Sequence, residues 1–124
     1  MIPLSPATRI YLASGMTDLR KSFEGLSDLI THQFKEDPLS GNLFVFVNRR
    51  KNRIKLLYFD GTGVWVCAKR LMGGGCFAWP QTGDPGALRI AAEELTLLLT
   101  GIDLAQTQRR SWWRKDGGID NKNS

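Results

Sequence analysis

Apolar residues change their spacing several times along the chain, and each change marks an element. The run Arg9-Ile10-Tyr11-Leu12-Ala13 predicts a short strand, broken by Ser14-Gly15-Met16-Thr17. Leu19, Phe23, Leu26, Ile30 and Phe34 then recur at spacings of 4, 3, 4 and 4, which draws one apolar stripe along an amphipathic helix. Thr17 is the expected N-cap, with Asp18 placed against the positive end of the helix dipole. Gly25 interrupts that helix at a cost of about 1 kcal/mol relative to alanine, which predicts a close contact with the sheet there. Asp37-Pro38 ends the helix, and Leu39-Ser40-Gly41 turns into the next strand.

From Asn42 the period shortens. Asn42 to Asn48 and Ile54 to Phe59 read as paired strands joined by Arg49-Arg50-Lys51-Asn52-Arg53, a turn that is almost entirely cationic. In the second strand Ile54, Leu56 and Tyr58 face one way and Lys55, Leu57 and Phe59 the other, so most of that strand is covered on both sides. Asp60-Gly61-Thr62-Gly63 is ordinary hairpin-turn chemistry and leads into a third strand, Val64 to Arg70. In a meander the Lys69-Arg70 end of that strand returns beside Lys55 and the cationic turn. A short strand is expected around Phe77-Ala78-Trp79, a loop from Pro80 to Gly86, and a second helix carrying Ala91, Ala92, Leu95, Leu98, Leu99 and Ile102, stopped at Gly101.

The order strand, helix, strands, helix predicts an α+β fold: an antiparallel meander of about four or five strands with two helices packed on one face. Residues 1–103 form the expected single domain. Residues 104–124 are polar and basic and read as a flexible tail. With 42% hydrophobic and 23% charged residues among 124, the composition is that of a globular protein. No run approaches the roughly 20 apolar residues of a membrane helix, and no secretory signal pattern opens the chain, so a cytoplasmic protein with no membrane contact is expected. Two cysteines, Cys67 and Cys76, make no disulfide framework and fit a reducing compartment.

Charge changes the picture by its placement. Seventeen basic against twelve acidic residues give +5 overall, yet Arg49, Arg50, Lys51, Arg53, Lys55, Lys69 and Arg70 fall in one short stretch with Asp60 as its single acid. Cations held this close repel one another, and a polyanion relieves that repulsion. These seven residues are the candidate DNA-binding set, contacting phosphate and so giving affinity without sequence choice. The bland alternative is a solvated turn that keeps a sheet edge from aggregating. A second cluster, Arg109, Arg110, Trp112, Trp113, Arg114 and Lys115, interleaves tryptophans with cations, an arrangement that suits either nucleic acid or a docking partner.

Other chemistry is poorly supported. Asp60 ends an apolar strand, but a metal-dependent nuclease requires further carboxylates in strand context, and Asp18, Asp84, Glu93 and Glu94 do not supply it. His32, Cys67 and Cys76 lack metal-ligand spacing, and Gly73-Gly74-Gly75 lacks the lysine and serine of a phosphate loop. No metal or cofactor is therefore expected. Trp65 and Trp79 read as core aromatics.

Gly41-Asn42-Leu43-Phe44-Val45-Phe46, the basic turn, Ile54 to Gly63, Ala68-Lys69-Arg70-Leu71 and Phe77-Ala78-Trp79-Pro80 together resemble the TnpB family of accessory proteins from insertion-sequence sixty-six (IS66-type) bacterial transposable elements. The likeness extends to Met1-Ile2-Pro3-Leu4, Gly15 to Leu26 and Glu94 to Asp103, and so covers residues 1–103 apart from the Gly73 to Cys76 run. It implies a non-catalytic accessory to DNA transposition working beside a separate transposase. It brings no established functional residues. Two further functions stay open from the residues themselves: a protein-binding scaffold without DNA contact, and a small metal-dependent nuclease.

Overall fold

A computed structural model describes residues 5–81 and 86–101. Its core is a five-stranded sheet of β1 (Ile10–Met16), β2 (Leu43–Val47), β3 (Arg53–Phe59), β4 (Val64–Arg70) and β5 (Ala87–Ile90), arranged β4-β3-β2-β1-β5. Two helices complete it, α1 (Phe23–Leu29), continued by a π-helical turn over Ile30–Phe34, and α2 (Ala92–Leu99). The fold is α+β, as the order of elements predicts.

The sheet is mixed rather than purely antiparallel. β2, β3 and β4 form the expected meander, but β1 lies parallel to β2, with α1 carrying the chain between them, and β5 closes the other edge antiparallel to β1. All five residues of β2 are buried. That is why this strand reads as an unbroken apolar run with no alternation to show which face is which.

The two helices lie on opposite faces, which corrects the expectation that both pack on one. Leu12, Val45, Val47, Ile54 and Leu56 point to the side covered by Leu95 and Leu98 of α2 and by Phe77 and Trp79. Ala13, Phe44, Phe46 and Leu57 point to the side covered by Leu26, Ile30 and Phe34. There Phe34 packs on Phe46 and Phe44 with ring centroids 5.5 and 5.9 Å apart. A sheet buried on both faces needs a cover on each, and the fully apolar β2 is the residue-level sign of it.

The helical stripe explains the π turn. Residues repeating every four positions over-rotate on an α-helix and under-rotate on a π-helix, so following α1 with one wide turn returns Ile30 and Phe34 to the sheet. The N-cap of α1 is Ser22 rather than Thr17. Thr17 is still held by the sheet, its N–H donating to the Val47 carbonyl at 2.7 Å. Gly25 is crowded by Lys21 of its own chain, 3.1 Å from where a Cβ would sit, and not by the sheet.

Other local expectations shift for identifiable reasons. Phe77-Ala78-Trp79 is buried irregular chain and not a strand; Trp79 donates its indole N–H to the Ala13 carbonyl at 2.9 Å. The strand there is β5, whose Ala87-Leu88-Arg89 favours helix and carries no β-branched residue until Ile90. Trp65 is half exposed rather than a core aromatic. α2 ends as expected, with Gly101 at φ +83 just past it. Ile102 and the tail cluster Arg109 to Lys115 lie outside the described residues.

Candidate nucleic-acid interface

Three segments meet at the β2–β3 end of the sheet, on the α1 side. The first is the cationic hairpin tip. Asn48 builds it: its Oδ1 accepts the backbone N–H groups of Asn52 and Arg53, each at 3.1 Å, and its Nδ2 donates to Asn52 Oδ1 at 2.8 Å. Lys51 takes the left-handed conformation, φ +59, that lets the chain reverse there. The carbonyls of the tip are used as well, accepting from Leu71 N–H at Asn52 and from Phe77 N–H at Lys51, at 2.8 and 2.6 Å. The arginines at the tip therefore project from a fixed backbone.

The second segment is the far end of β4. Register pairs Arg53 with Arg70, Ile54 with Lys69 and Lys55 with Ala68. Strand alternation then sends Arg53, Lys55, Ala68 and Arg70 to the α1 side and Lys69 to the α2 side.

The third segment was not foreseen from the sequence. Between Leu12 and Met16 the pairing of β1 with β2 slips, Leu12 lying opposite Val45 and Met16 opposite Val47. Gly15, at φ +136, supplies the backbone conformation this bulge requires. The extra residues lift Met16 to Arg20 across the hairpin tip. Asp18 grips Arg20 with both oxygens, accepting from Nε and from the terminal nitrogen at 2.9 Å each. Those bonds, with the Arg20 backbone N–H and the nearby positive charge, hold the Asp18 carboxyl at about 2.

Together these segments enclose an open cleft of about 850 Å³. Its lining includes Arg20, Arg49, Arg50, Arg53, Lys55, Lys69 and Arg70 against the single carboxylate of Asp18, over an apolar floor that includes Met16, Leu19 and Ala68. Among the described residues the one ion pair is Arg20 with Asp18. Arg49, Arg50, Arg53 and Arg70 thus face the cleft with no carboxylate within salt-bridge distance among those residues. Five of the seven cations are arginines, whose planar fork matches the oxygens of a phosphate.

The structure brings together six of the seven sequence-derived cations and sorts them. Lys51 lies elsewhere, lining a smaller cavity of about 190 Å³ with Trp79 and Met16. Lys69 borders the cleft, but its ammonium donates to the Leu99 carbonyl at 2.6 Å, where it favours the negative C-terminal end of α2. Arg20 is the cation that sequence reasoning missed, because only the β1 bulge brings it near.

Asp60 stands at the opposite end of β3. Its Oδ1 accepts from Thr62 N–H, Gly63 N–H and the Thr62 hydroxyl at 2.9 to 3.0 Å, and its Oδ2 from the Trp65 indole at 2.8 Å. The backbone N–H bonds from Thr62 and Gly63 lead in pushing its carboxyl far below the usual carboxylate range. A carboxylate so fully engaged shapes a turn. Among the described residues no three His, Cys, Asp or Glu side chains gather as a metal site.

These elements make a small two-faced α+β domain with an arginine-walled cleft at one end of its sheet. The family profile described as IS66 Orf2 like protein matches residues 8–109, and the chain belongs to that family, one of accessory proteins of insertion-sequence transposition. It is similar to two uncharacterized proteins of Sinorhizobium fredii (strain NBRC 101917 / NGR234). The protein y4hO is 38% identical over 92% of this chain and 96% of its own length, and y4jC is 36% identical over 89% and 92%. No solved structure matches the chain.

Proposed function

We propose that this protein is a non-catalytic transposition accessory factor that holds DNA of its insertion sequence by the phosphate backbone, in the cleft between the hairpin tip and the Met16 to Arg20 loop. The observation that carries this reading is the convergence of Arg49, Arg50, Arg53, Lys55 and Arg70 with Arg20 around one concavity whose single acid, Asp18, is occupied by Arg20. Phosphate contact of this kind gives affinity and orientation and leaves sequence choice to a partner. In a family of transposition accessories that partner is the element's own transposase, working in the cytoplasm. Among the described residues no helix is long and apolar enough to cross a membrane.

The test is fluorescence anisotropy with labelled duplex DNA over a salt series. Engagement of about four phosphates gives a log-log slope of about −3.6, because each neutralised phosphate releases condensed counterions. Changing Arg49, Arg50 and Arg53 together to serine flattens that slope by up to about three units, and leaves the fold intact because exposed charges contribute little to stability. An unchanged slope in the triple variant refutes the cleft as the DNA site and favours the protein-binding reading.

A further inference from the structure

We propose that the outer edge of β4 is a self-pairing interface, through which two copies of this chain join antiparallel into one continuous sheet. β4 is an edge strand seven residues long, in unbroken register with β3, and it contains no proline. Among the described residues nothing pairs with its outer edge, it has neither the bulge nor the proline that blunts many exposed edges, and its cations are confined to the Lys69-Arg70 end. Trp65 and Val66 lie on opposite faces of this strand and are 50% and 43% exposed, so a neighbouring strand would cover apolar surface on both sides at once.

Charge selects the second copy and its direction. One end of β4 carries Lys69 and Arg70, and the other adjoins the Asp60 turn, whose carboxylate stays ionised. A strand with cations at one end and an anion at the other complements itself when paired antiparallel about a two-fold axis, and repels itself when paired parallel. With the axis at Cys67, the midpoint of the strand, Arg70 lies opposite Val64 of the second copy, at the end of the strand that adjoins its Asp60 turn. Lys69 lies opposite Trp65 of the second copy, and Val66 opposite Ala68. An axis normal to the sheet keeps the same face of both copies on the same side. The two cationic clefts then open in one direction, flanking a shared seam.

Sedimentation velocity on the nuclease-treated full chain, across its soluble concentration range, tests this pairing. The expected result is a monomer–dimer equilibrium that Val66→Lys weakens at least about tenfold, since a lysine on the edge opposes strand addition. Folding of the variant is checked by circular dichroism. Register is read separately in Cys76→Ser: residues directly opposed across such a pair have Cβ atoms roughly 4.5–5.5 Å apart, near disulfide reach, so mild oxidation links two copies through Cys67. A chain that stays monomeric throughout, a dimer that Val66→Lys leaves unchanged, or the lack of a Cys67-linked dimer on oxidation overturns the proposal.

Discussion

The two turns that bracket β3 use the same device with different charge. At Asn48 and at Asp60, one side-chain oxygen accepts two backbone N–H groups and fixes the reversal of the chain. An aspartate serves at the Asp60 end, where the neighbours are glycine, threonine and tryptophan. At the cationic end the same work is done by an amide. A carboxylate at position 48 would accept those N–H groups at least as well, but it would also place a negative charge among Arg49, Arg50, Arg53 and Arg70 and cancel part of their field. The difference leaves the positive charge of the hairpin tip uncompensated by its own turn residue.

The comparison is broken most severely by Asn48→Ala. It removes both accepted bonds and the donated bond to Asn52 Oδ1 from a half-buried turn, leaving N–H groups short of partners. Loss of about 2 kcal/mol of stability is expected, measured as a fall in the urea midpoint at unchanged slope. Asn48→Asp sharpens it. The N–H bonds survive, the donated bond to Asn52 is lost, and stability falls by about 1 kcal/mol. The larger consequence is on binding, where a fixed negative charge in the cleft flattens the salt dependence of DNA affinity by about one unit. A variant that binds as tightly as the parent, with the same salt slope, would mean the amide at position 48 has nothing to do with charge.

Much of this arrangement was legible in the sequence, because the hairpin elements announce themselves by strand period and turn residues that are local in the chain. Lys55, Arg70 and the tip cations converge as the meander predicts, since antiparallel register needs only the two turns to be placed correctly. What was not legible is non-local. The parallel pairing of β1 with β2 is set by a helical crossover and not by a turn, and the bulge at Gly15 that delivers Arg20 to the cleft shows as a glycine like any other. The unbroken apolar run of β2 did carry the information that both sheet faces are covered. The fate of Lys69 lies in its parity: one residue from Arg70, it points to the other face and reaches the end of α2. β5 was hidden because Ala87-Leu88-Arg89 prefers helix, and pairing with β1 overrides that preference.

Asp60→Asn is the mildest change and isolates charge at the other turn. Asparagine accepts the Thr62 and Gly63 N–H bonds nearly as well, so DNA binding and its salt slope should not move, in contrast with Asn48→Asp. The difference is in acid. The folded protein holds the Asp60 carboxyl well below its ordinary value of 3.8, so folding favours the ionised form and the unfolded chain takes up its proton first. The stabilisation from Asp60 is therefore complete above about pH 4 and is lost as pH falls below the ordinary carboxylate value toward the depressed one. Thermal melts of the parent and Asp60→Asn should run parallel at neutral pH, with the parent slightly higher, and converge as the solution is acidified below pH 4. Curves that keep the same separation through that range would show that the carboxylate's charge is not what its hydrogen bonds favour, and would leave the Asp60 turn no different in kind from the one at Asn48.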